Sequence, residues 1–303
     1  MSAMNRTQFP KELQRGLKSV FGLEYKRYPE EWRKAFEVDM TDQSYDEEQL
    51  VTGFGSAVVK AEGDEFTYDS GGEAWTARYI IDTIALGFFF TEEAAEDNLY
   101  MKLGPKYSKA LARSMQYTKE IRGANVFNNG FSSSYKGGDG VELFSLAHPT
   151  RSGANQANEL ATAADLSQTS LEDMLTLIRK CEDDRGIPAM LNPKALIVPP
   201  ELDWVANKII QTPKAIGSNN NDVNLLSTRG YFSGGACLMT NLTDPDAWFV
   251  TTDVMDGLKY KDRVKMAIRS FQDDNTGNWH FVARERYKFG WTDWRGAFGT
   301  PGA

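Results

Sequence analysis

The segment from Gly53 to Ile81 places the strongest constraint on how this chain can fold. It is rich in glycine and in β-forming residues, and from Trp75 onward it alternates with the period of two that is typical of a strand. The pattern predicts a long β-hairpin with loose ends. A two-stranded hairpin alone is only marginally stable in water, so this one requires a surface to lie against, in its own domain or on another chain.

Residues 1–52 precede the hairpin and are charged, but they contain too many aromatic residues for a disordered tail. Pro29 precedes a short predicted helix in which Trp32 and Phe36 lie four positions apart and therefore on one face. Two interpretations of this arm remain open. Either it packs on its own domain, or it lies on a neighbouring subunit.

The rest of the chain predicts a mixed α+β fold. A long helix is expected from about Pro105 to Val126, where residues of one face recur at spacings of three or four. Residues 167–261 then combine helices with short buried strands in a compact unit. After a hairpin turn at 273–278, a long strand from Trp279 to Phe289 shows one aromatic face and one mostly basic face.

Composition excludes several classes of protein. The 303 residues include 34 Lys and Arg against 42 Asp and Glu, for a net charge of −8, whereas a dedicated nucleic-acid reader needs clustered cations. Two cysteines exclude a disulfide-dense secreted scaffold. No apolar run reaches the length of about 20 residues that spans a bilayer, so we expect no membrane association.

The sequence offers few candidate catalytic residues for a chain of this length. His148 precedes Pro149 in a loop with no positioned nucleophile, and Cys181 lies on the apolar face of its predicted helix, which is typical of core packing. No phosphate-binding loop or nucleophile elbow is present, and the two His and two Cys share no metal-ligand spacing. We therefore expect no enzyme activity, no cofactor and no metal, which favours a structural protein.

Three stretches, taken in order, resemble the major capsid protein of tailed bacteriophages with the Hong Kong 97-type fold, and in particular the Mu-like major head subunit. They are Gly140–Pro149, Ala195–Leu202 and Trp279–Phe298. The order of elements also matches that family: an arm, a glycine-broken hairpin, a long helix, a compact unit and a return to long strands. The resemblance extends over nearly the whole chain.

The resemblance implies five parts of an α+β capsid fold. These are an N-terminal arm at 1–52, an E-loop hairpin at 53–87, a P-domain with its spine helix at 88–166, an A-domain at 167–261, and the P-domain return strands with the C-terminus at 262–303. It further implies that many copies self-assemble, as pentamers and hexamers, into the icosahedral shell around the double-stranded DNA of a tailed phage.

Further partners follow from the same resemblance. A portal and a decoration protein are expected in a virion that is assembled in the host cytoplasm. Since only residues 1–52 precede the hairpin, a separate scaffold protein is expected. An acidic inner wall would repel phosphate, so DNA would be enclosed without sequence-specific binding. Lys60 is the only lysine of the hairpin, and we do not expect it to form a covalent crosslink, because no carboxylate catalyst is visible beside it.

The candidates for inter-subunit contact are Trp32 and Phe36 in the arm and Tyr68 and Trp75 in the hairpin. Large aromatic side chains dominate interfaces and cores alike, so the alternative is that each packs inside its own subunit. Two other functions stay open. One is an encapsulin-like compartment shell with the same fold, and the other is a soluble hydrolase that uses His148 or His280.

Overall fold

The computed structural model describes residues 10–93, 100–214 and 223–303, so the first nine residues of the predicted arm lie outside the described residues. The helices are α1 (Pro10–Tyr25), α2 (Tyr100–Asn128), α3 (Gln168–Lys180), α4 (Asp203–Gln211) and α5 (Leu225–Arg229). The strands are β1 (Glu37–Met40), β2 (Tyr45–Thr52), β3 (Gly72–Ile80), β4 (Asp82–Phe90), β5 (His148–Pro149), β6 (Asn155–Gln156), β7 (Pro193–Val198), β8 (Ala236–Leu238), β9 (Trp248–Thr252), β10 (Leu258–Gln272), β11 (Trp279–Trp291) and β12 (Ala297–Thr300).

The first sheet has the strand order β1-β10-β11-β4. Its centre is the antiparallel pair β10 and β11, which confirms the predicted long strand and the turn before it. β4 pairs antiparallel with β11, and β1 pairs parallel with β10. Phe281, Ala283 and Tyr287 of β11 are buried on the side of the sheet that carries α1 and α2. That side is the apolar face which the alternation of residues predicted.

The second sheet has the strand order β12-β9-β7-β8. Leu171, Met174 and Ile178 of α3 are buried against it, and they form one core with Val198 and Trp248. These residues lie on one face of α3 because they recur every three or four positions. The predicted compact unit is therefore present as a sheet covered by short helices.

The end of the chain differs from the predicted division at 262–303. β10 begins earlier, at Leu258, and β12 pairs with β9 in the second sheet, not with the first. A short 3-10 turn at Trp294–Gly296, capped by Asp293, redirects the chain between the two sheets. Its buried Arg295 bonds to Asp184, which holds the turn in place.

The long helix is longer than predicted, since α2 begins at Tyr100 and not near Pro105. Pro105 lies inside the helix, where it costs one backbone hydrogen bond but remains close to the N-terminus. The helix ends at Asn128, two residues beyond the predicted end at about Val126.

The hairpin has different strands from those predicted. Its arms are β2 and β3, which pair antiparallel, whereas residues 53–71 between them form no regular strand. The prediction that the hairpin strands begin at Gly53 was wrong, because the backbone of residues 53–71 finds no partner strand. β4 follows β3 directly but pairs in the first sheet, so the predicted range 53–87 includes parts of two sheets.

Candidate assembly surface

Residues 53–71, called here the exposed loop, present apolar side chains to solvent. Val59 is 100% exposed, Phe66 72% and Tyr68 90%. An apolar cluster that a subunit leaves uncovered is typical of a site that binds another molecule. Tyr68, one of the predicted contact residues, lies in this cluster, and its contact with a second subunit remains a prediction.

The two ends of the exposed loop are fixed to the loop's own subunit. The guanidinium of Arg185 donates hydrogen bonds to the carboxylate of Asp69 at 2.9 Å and to the carbonyl oxygens of Gly53 and Ser70 at 3.2 and 2.9 Å. The backbone N–H groups of Gly55 and Ser70 lower the pKa of the Asp69 carboxyl. The loop is therefore held at its base, while Val59, Phe66 and Tyr68 lie open to solvent.

A network of charges attaches the hairpin to the first sheet. The ammonium group of Lys261, on β10, contacts the carboxylates of Asp39, Asp46 and Glu48, and the distance to Asp46 is 2.9 Å. Lys259 adds contacts to Glu48 at 2.8 Å and to the turn before β10. We call these five residues the Lys261 network. It joins β1, β2 and β10.

Burial favours the neutral form of Lys261, whose side chain is only 2% exposed. Hydrogen bonds to Asp39, Glu48 and Asp46 outweigh burial and raise the pKa of Lys261, and the bond from Lys261 lowers the pKa of Asp39. The three carboxylate oxygens lie within 4.8 Å of one another, a spacing that also suits a metal ion. The ammonium of Lys261 already supplies the positive charge at that point, so the group is best described as an ion-pair network.

The arm residues predicted as inter-subunit contacts lie in the subunit's own core, which corrects that prediction. Trp32 is 1% exposed and Phe36 is 4% exposed. The Trp32 ring lies 4.4 Å from that of Tyr260, and the Phe36 ring lies 5.0 Å from that of Phe289 and 5.7 Å from that of Phe127. Of the two interpretations of the arm, packing on its own domain is the one observed at these residues.

A carboxylate on the long helix binds the arm. Glu120 accepts hydrogen bonds from the backbone N–H groups of Glu31 and Trp32, both at 3.2 Å. These groups lie at the start of the short 3-10 helix Glu31–Lys34. Burial, reinforced by the negative charges of Glu31 and Glu30, raises the pKa of Glu120 to about 7. The contact between arm and helix therefore depends on pH near neutrality.

Trp75 lies on β3, and its side chain is half-buried. Its indole Nε1 is buried and finds no hydrogen-bond partner within the part of the chain that the structure describes. The structure thus places Trp75 between the core and the surface. Its contact with a second subunit remains a prediction.

The two histidines have structural surroundings. His148 is fully buried, with Nδ1 2.7 Å from Asp139 and Nε2 3.1 Å from the side-chain oxygen of Asn158, and its ring stacks on Trp294. Both ring nitrogens are therefore engaged. The ring of His280 stacks between two phenylalanine rings. The engaged ring of His148 thus offers no free nitrogen to act as the base of a hydrolase.

Both cysteines are buried, and burial raises the pKa of the Cys181 and Cys237 thiols to about 11. A thiol with so high a pKa is a poor nucleophile at neutral pH.

Within the described residues, no helix combines the length and the apolar character that a membrane crossing needs.

Sequence reasoning missed the Lys261 network and the role of Glu120. Asp39 and Glu48 lie more than 200 positions before Lys261, so no local spacing connects them. The sequence around Glu120 is typical of an exposed acidic residue on a long helix. The alternation of β10 places Lys259 and Lys261 on one face, but the sequence does not show that this face is buried.

We predict that Lys261→Met loosens the base of the hairpin. Removing the ammonium leaves the carboxylates of Asp39, Asp46 and Glu48 facing one another. Because these carboxylates are partly exposed to solvent, we expect the loss to lower the free energy of unfolding by about 2–3 kcal/mol. Urea unfolding of the unassembled subunit measures the loss. Lys265→Met, at an exposed lysine of the same strand, is the control. Equal stability of the two variants would contradict the assignment.

We predict that Glu120→Gln flattens the dependence of the subunit's stability on pH. The folded carboxyl keeps its proton up to about pH 7, whereas the unfolded one loses it near 4.5, so wild-type stability falls as pH rises between these values, by about 3 kcal/mol. Glutamine carries no charge and so removes that fall, while its single side-chain oxygen can accept only one of the two backbone N–H groups. Urea unfolding at pH 5 and pH 8 measures it, with Glu201→Gln as the exposed control. A fall as steep as in wild type would refute the claim.

Comparison with known proteins places this geometry in a family. Residues 74–299 match the sequence profile of a family described as phage capsid protein. No curated protein matched the chain in a sequence search. Matches among solved structures include the capsid of the cyanophage P-SCSP1u, with a TM-score of 0.56, 11% identity, and coverage of 89% of this chain and 86% of that one.

Two further matches have similar scores. The procapsid of bacteriophage JBD30 gives a TM-score of 0.51 at 13% identity, covering 95% of this chain and 75% of that one. A virus-like particle from Pyrococcus furiosus gives 0.52 at 9% identity, covering 94% and 97%.

At such identities the structures show a shared fold, and they confirm the expected α+β fold of the Hong Kong 97 type. The matched family does not favour the encapsulin-like alternative. The profile covers well over half of this chain, so the chain belongs to the phage capsid protein family.

Proposed function

We propose that this chain is the major head protein whose copies build the icosahedral shell of a tailed phage. The observation that carries the proposal is the exposed loop, which presents Val59, Phe66 and Tyr68 without cover from its own subunit. Repeated contacts between identical chains bury such surfaces in closed symmetric assemblies. The copies would form pentamers and hexamers around double-stranded DNA.

The parts of the fold support this proposal. The strands β2 and β3 with the exposed loop correspond to the E-loop, the first sheet with α2 to the P-domain and its spine helix, and the second sheet with α3, α4 and α5 to the A-domain. The buried arm residues support an arm that begins on its own subunit. In this assignment β12 belongs to the A-domain sheet.

The remaining partners are proposed from the family. A separate scaffold protein, a portal and a decoration protein would act with the chain, and the shell would be assembled in the host cytoplasm and found in the virion. The net charge of −8 supports an inner wall that encloses DNA without binding it tightly. The role is structural, and the engaged ring of His148 supports it by leaving no free base.

We predict that Phe66→Ser with Tyr68→Ser impairs assembly but not folding. Both side chains are exposed, so the isolated subunit loses little, whereas the contact loses two aromatic anchors and the assembled fraction falls roughly tenfold. Sedimentation and negative-stain microscopy measure assembly, and thermal unfolding of the unassembled subunit measures folding.

The control for this pair is Met255→Ser, which removes an exposed apolar side chain far from the loop in sequence. It should leave assembly within about twofold of wild type. Shells of normal yield from the loop variant, or unfolding of its isolated subunit, would contradict the assignment.

A further inference from the structure

The long helix α2 differs in charge from the chain as a whole. Its residues Tyr100–Asn128 contain six Lys and Arg against one acid, for a formal charge of +5, whereas the whole chain has −8. The one acid is Glu120, which is buried and bonds to the backbone of the arm. The charge that α2 presents to solvent is therefore positive.

Two of these cations have partners within the subunit. The ammonium of Lys119 is buried and lies 2.6 Å from the carboxylate of Glu285 on β11. The guanidinium of Arg122 lies 2.7 Å from the carboxylate of Asp82 on β4. Both ion pairs join α2 to the first sheet, so these two cations serve the packing of the helix.

Three other cations of α2 form a line on its exposed side. Lys106, Lys109 and Arg113 are exposed, and none of their side chains has an ion pair or a hydrogen bond with the residues that the structure describes. Spacings of three and four positions place them on one face, along about 10 Å of the helix axis. Tyr117, which is 57% exposed, continues this face four positions later. We call these four residues the cationic stripe.

The stripe lacks a counter-charge of its own. Like charges three or four positions apart on a helix repel one another, although the cost on an exposed face is small. An anion that extends along the helix would remove this repulsion and attract all three cations at once. The stripe is therefore suited to an extended, negatively charged partner.

The chemistry of the stripe favours a phosphate backbone over an acidic protein. The larger apolar residues of this part of α2, Leu111 and Met115, are buried against the sheet, and the exposed position between the cations is the small Ala110. Protein interfaces normally have an apolar or aromatic centre, whereas the one ring of the stripe, that of Tyr117, lies at its end. Lysine, arginine and tyrosine are all side chains that contact phosphate oxygens.

Double-stranded DNA offers phosphates in a regular line. It carries about one negative charge per 1.7 Å of its axis, so a stripe about 10 Å long meets several phosphates whatever the sequence. Contact by three cations is weak and decreases steeply with salt. The negative net charge of the chain keeps it weak, which agrees with a shell that encloses DNA without binding it tightly.

We propose that the cationic stripe of α2 contacts the phosphates of the double-stranded DNA that the shell encloses. The proposal rests on the proposed function, from which it takes the enclosed DNA. It adds the orientation of the subunit, because the side of the first sheet that carries α2 would then line the interior. Weak contacts repeated over many copies would hold the outer layer of DNA without reading its sequence.

Titration of a fluorescein-labelled DNA duplex of mixed sequence with the unassembled full chain tests the stripe. Combining Lys106→Gln, Lys109→Gln and Arg113→Gln should lower the affinity at low salt about tenfold or more. The plot of log affinity against log salt concentration should become shallower by about 2.7, because each lost phosphate contact contributes about 0.9. A duplex of another sequence should give the same values.

The matched control removes three exposed lysines from other elements, through Lys136→Gln, Lys180→Gln and Lys194→Gln in one chain. The net charge changes equally, but binding should stay within about threefold of wild type, because salt screens charges that lie away from the stripe. Urea unfolding checks that both variants fold. Equal weakening by the two variants would show that only net charge matters, and would overturn the proposal.

Polyglutamate serves as a second probe, since an acidic protein is the alternative partner. If the stripe variant loses polyglutamate binding but keeps its affinity for the duplex, the stripe belongs to an acidic protein and the proposal is overturned. Loss of duplex binding in the stripe variant is the result that we expect.

Acetylation of lysines in assembled shells tests the orientation. Lys106 and Lys109 should react about threefold more slowly in shells filled with DNA than in empty shells, while Lys60 of the exposed loop should react equally in both. Equal rates at Lys106 and Lys109 would overturn the proposal. Failure of the wild-type chain to form shells would instead contradict the proposed function, and the duplex titration would still decide whether the stripe binds phosphates.

Discussion

The ammonium group of Lys261, buried among Asp39, Asp46 and Glu48, is the interaction on which the rest of the structure depends. It joins the arm, the base of the hairpin and the long strand β10. A buried ion pair contributes little net stability compared with apolar packing, but removing one partner is costly. Its role here is therefore one of position, because it sets where the hairpin leaves the sheet and where the exposed loop begins.

The subunit separates the residues that stabilise it from those that remain free to bind. Its aromatic arm residues, Trp32 and Phe36, pack in the subunit's own core, and Glu120 accepts hydrogen bonds from the backbone beside them. The exposed loop differs from these residues, because its apolar side chains Val59, Phe66 and Tyr68 lie open to solvent. Contacts between copies would thus use a few exposed side chains of this loop.

Elements with strong local periodicity could be predicted from the sequence. The strand from Trp279 to Phe289 alternates cleanly, and the long helix has regular spacing, so both were found, although Pro105 suggested too late a start for the helix. β2 was missed because its acids, such as Asp46 and Glu48, hide its alternation. Trp32 and Phe36 were misplaced because an aromatic pair looks the same whether it meets its own core or a neighbour. The Lys261 network joins residues more than 200 positions apart, which no local pattern reveals.

Amide hydrogen exchange of residues 53–71, compared between unassembled subunits and assembled shells, tests the central claim most directly. Few of these amides are bonded within the subunit, so they should exchange fast when it is alone. If a second copy covers the loop, exchange should slow by about tenfold or more on assembly, while buried strands such as β9 change little. Shells that form normally while the loop exchanges as fast as in the free subunit would contradict the account.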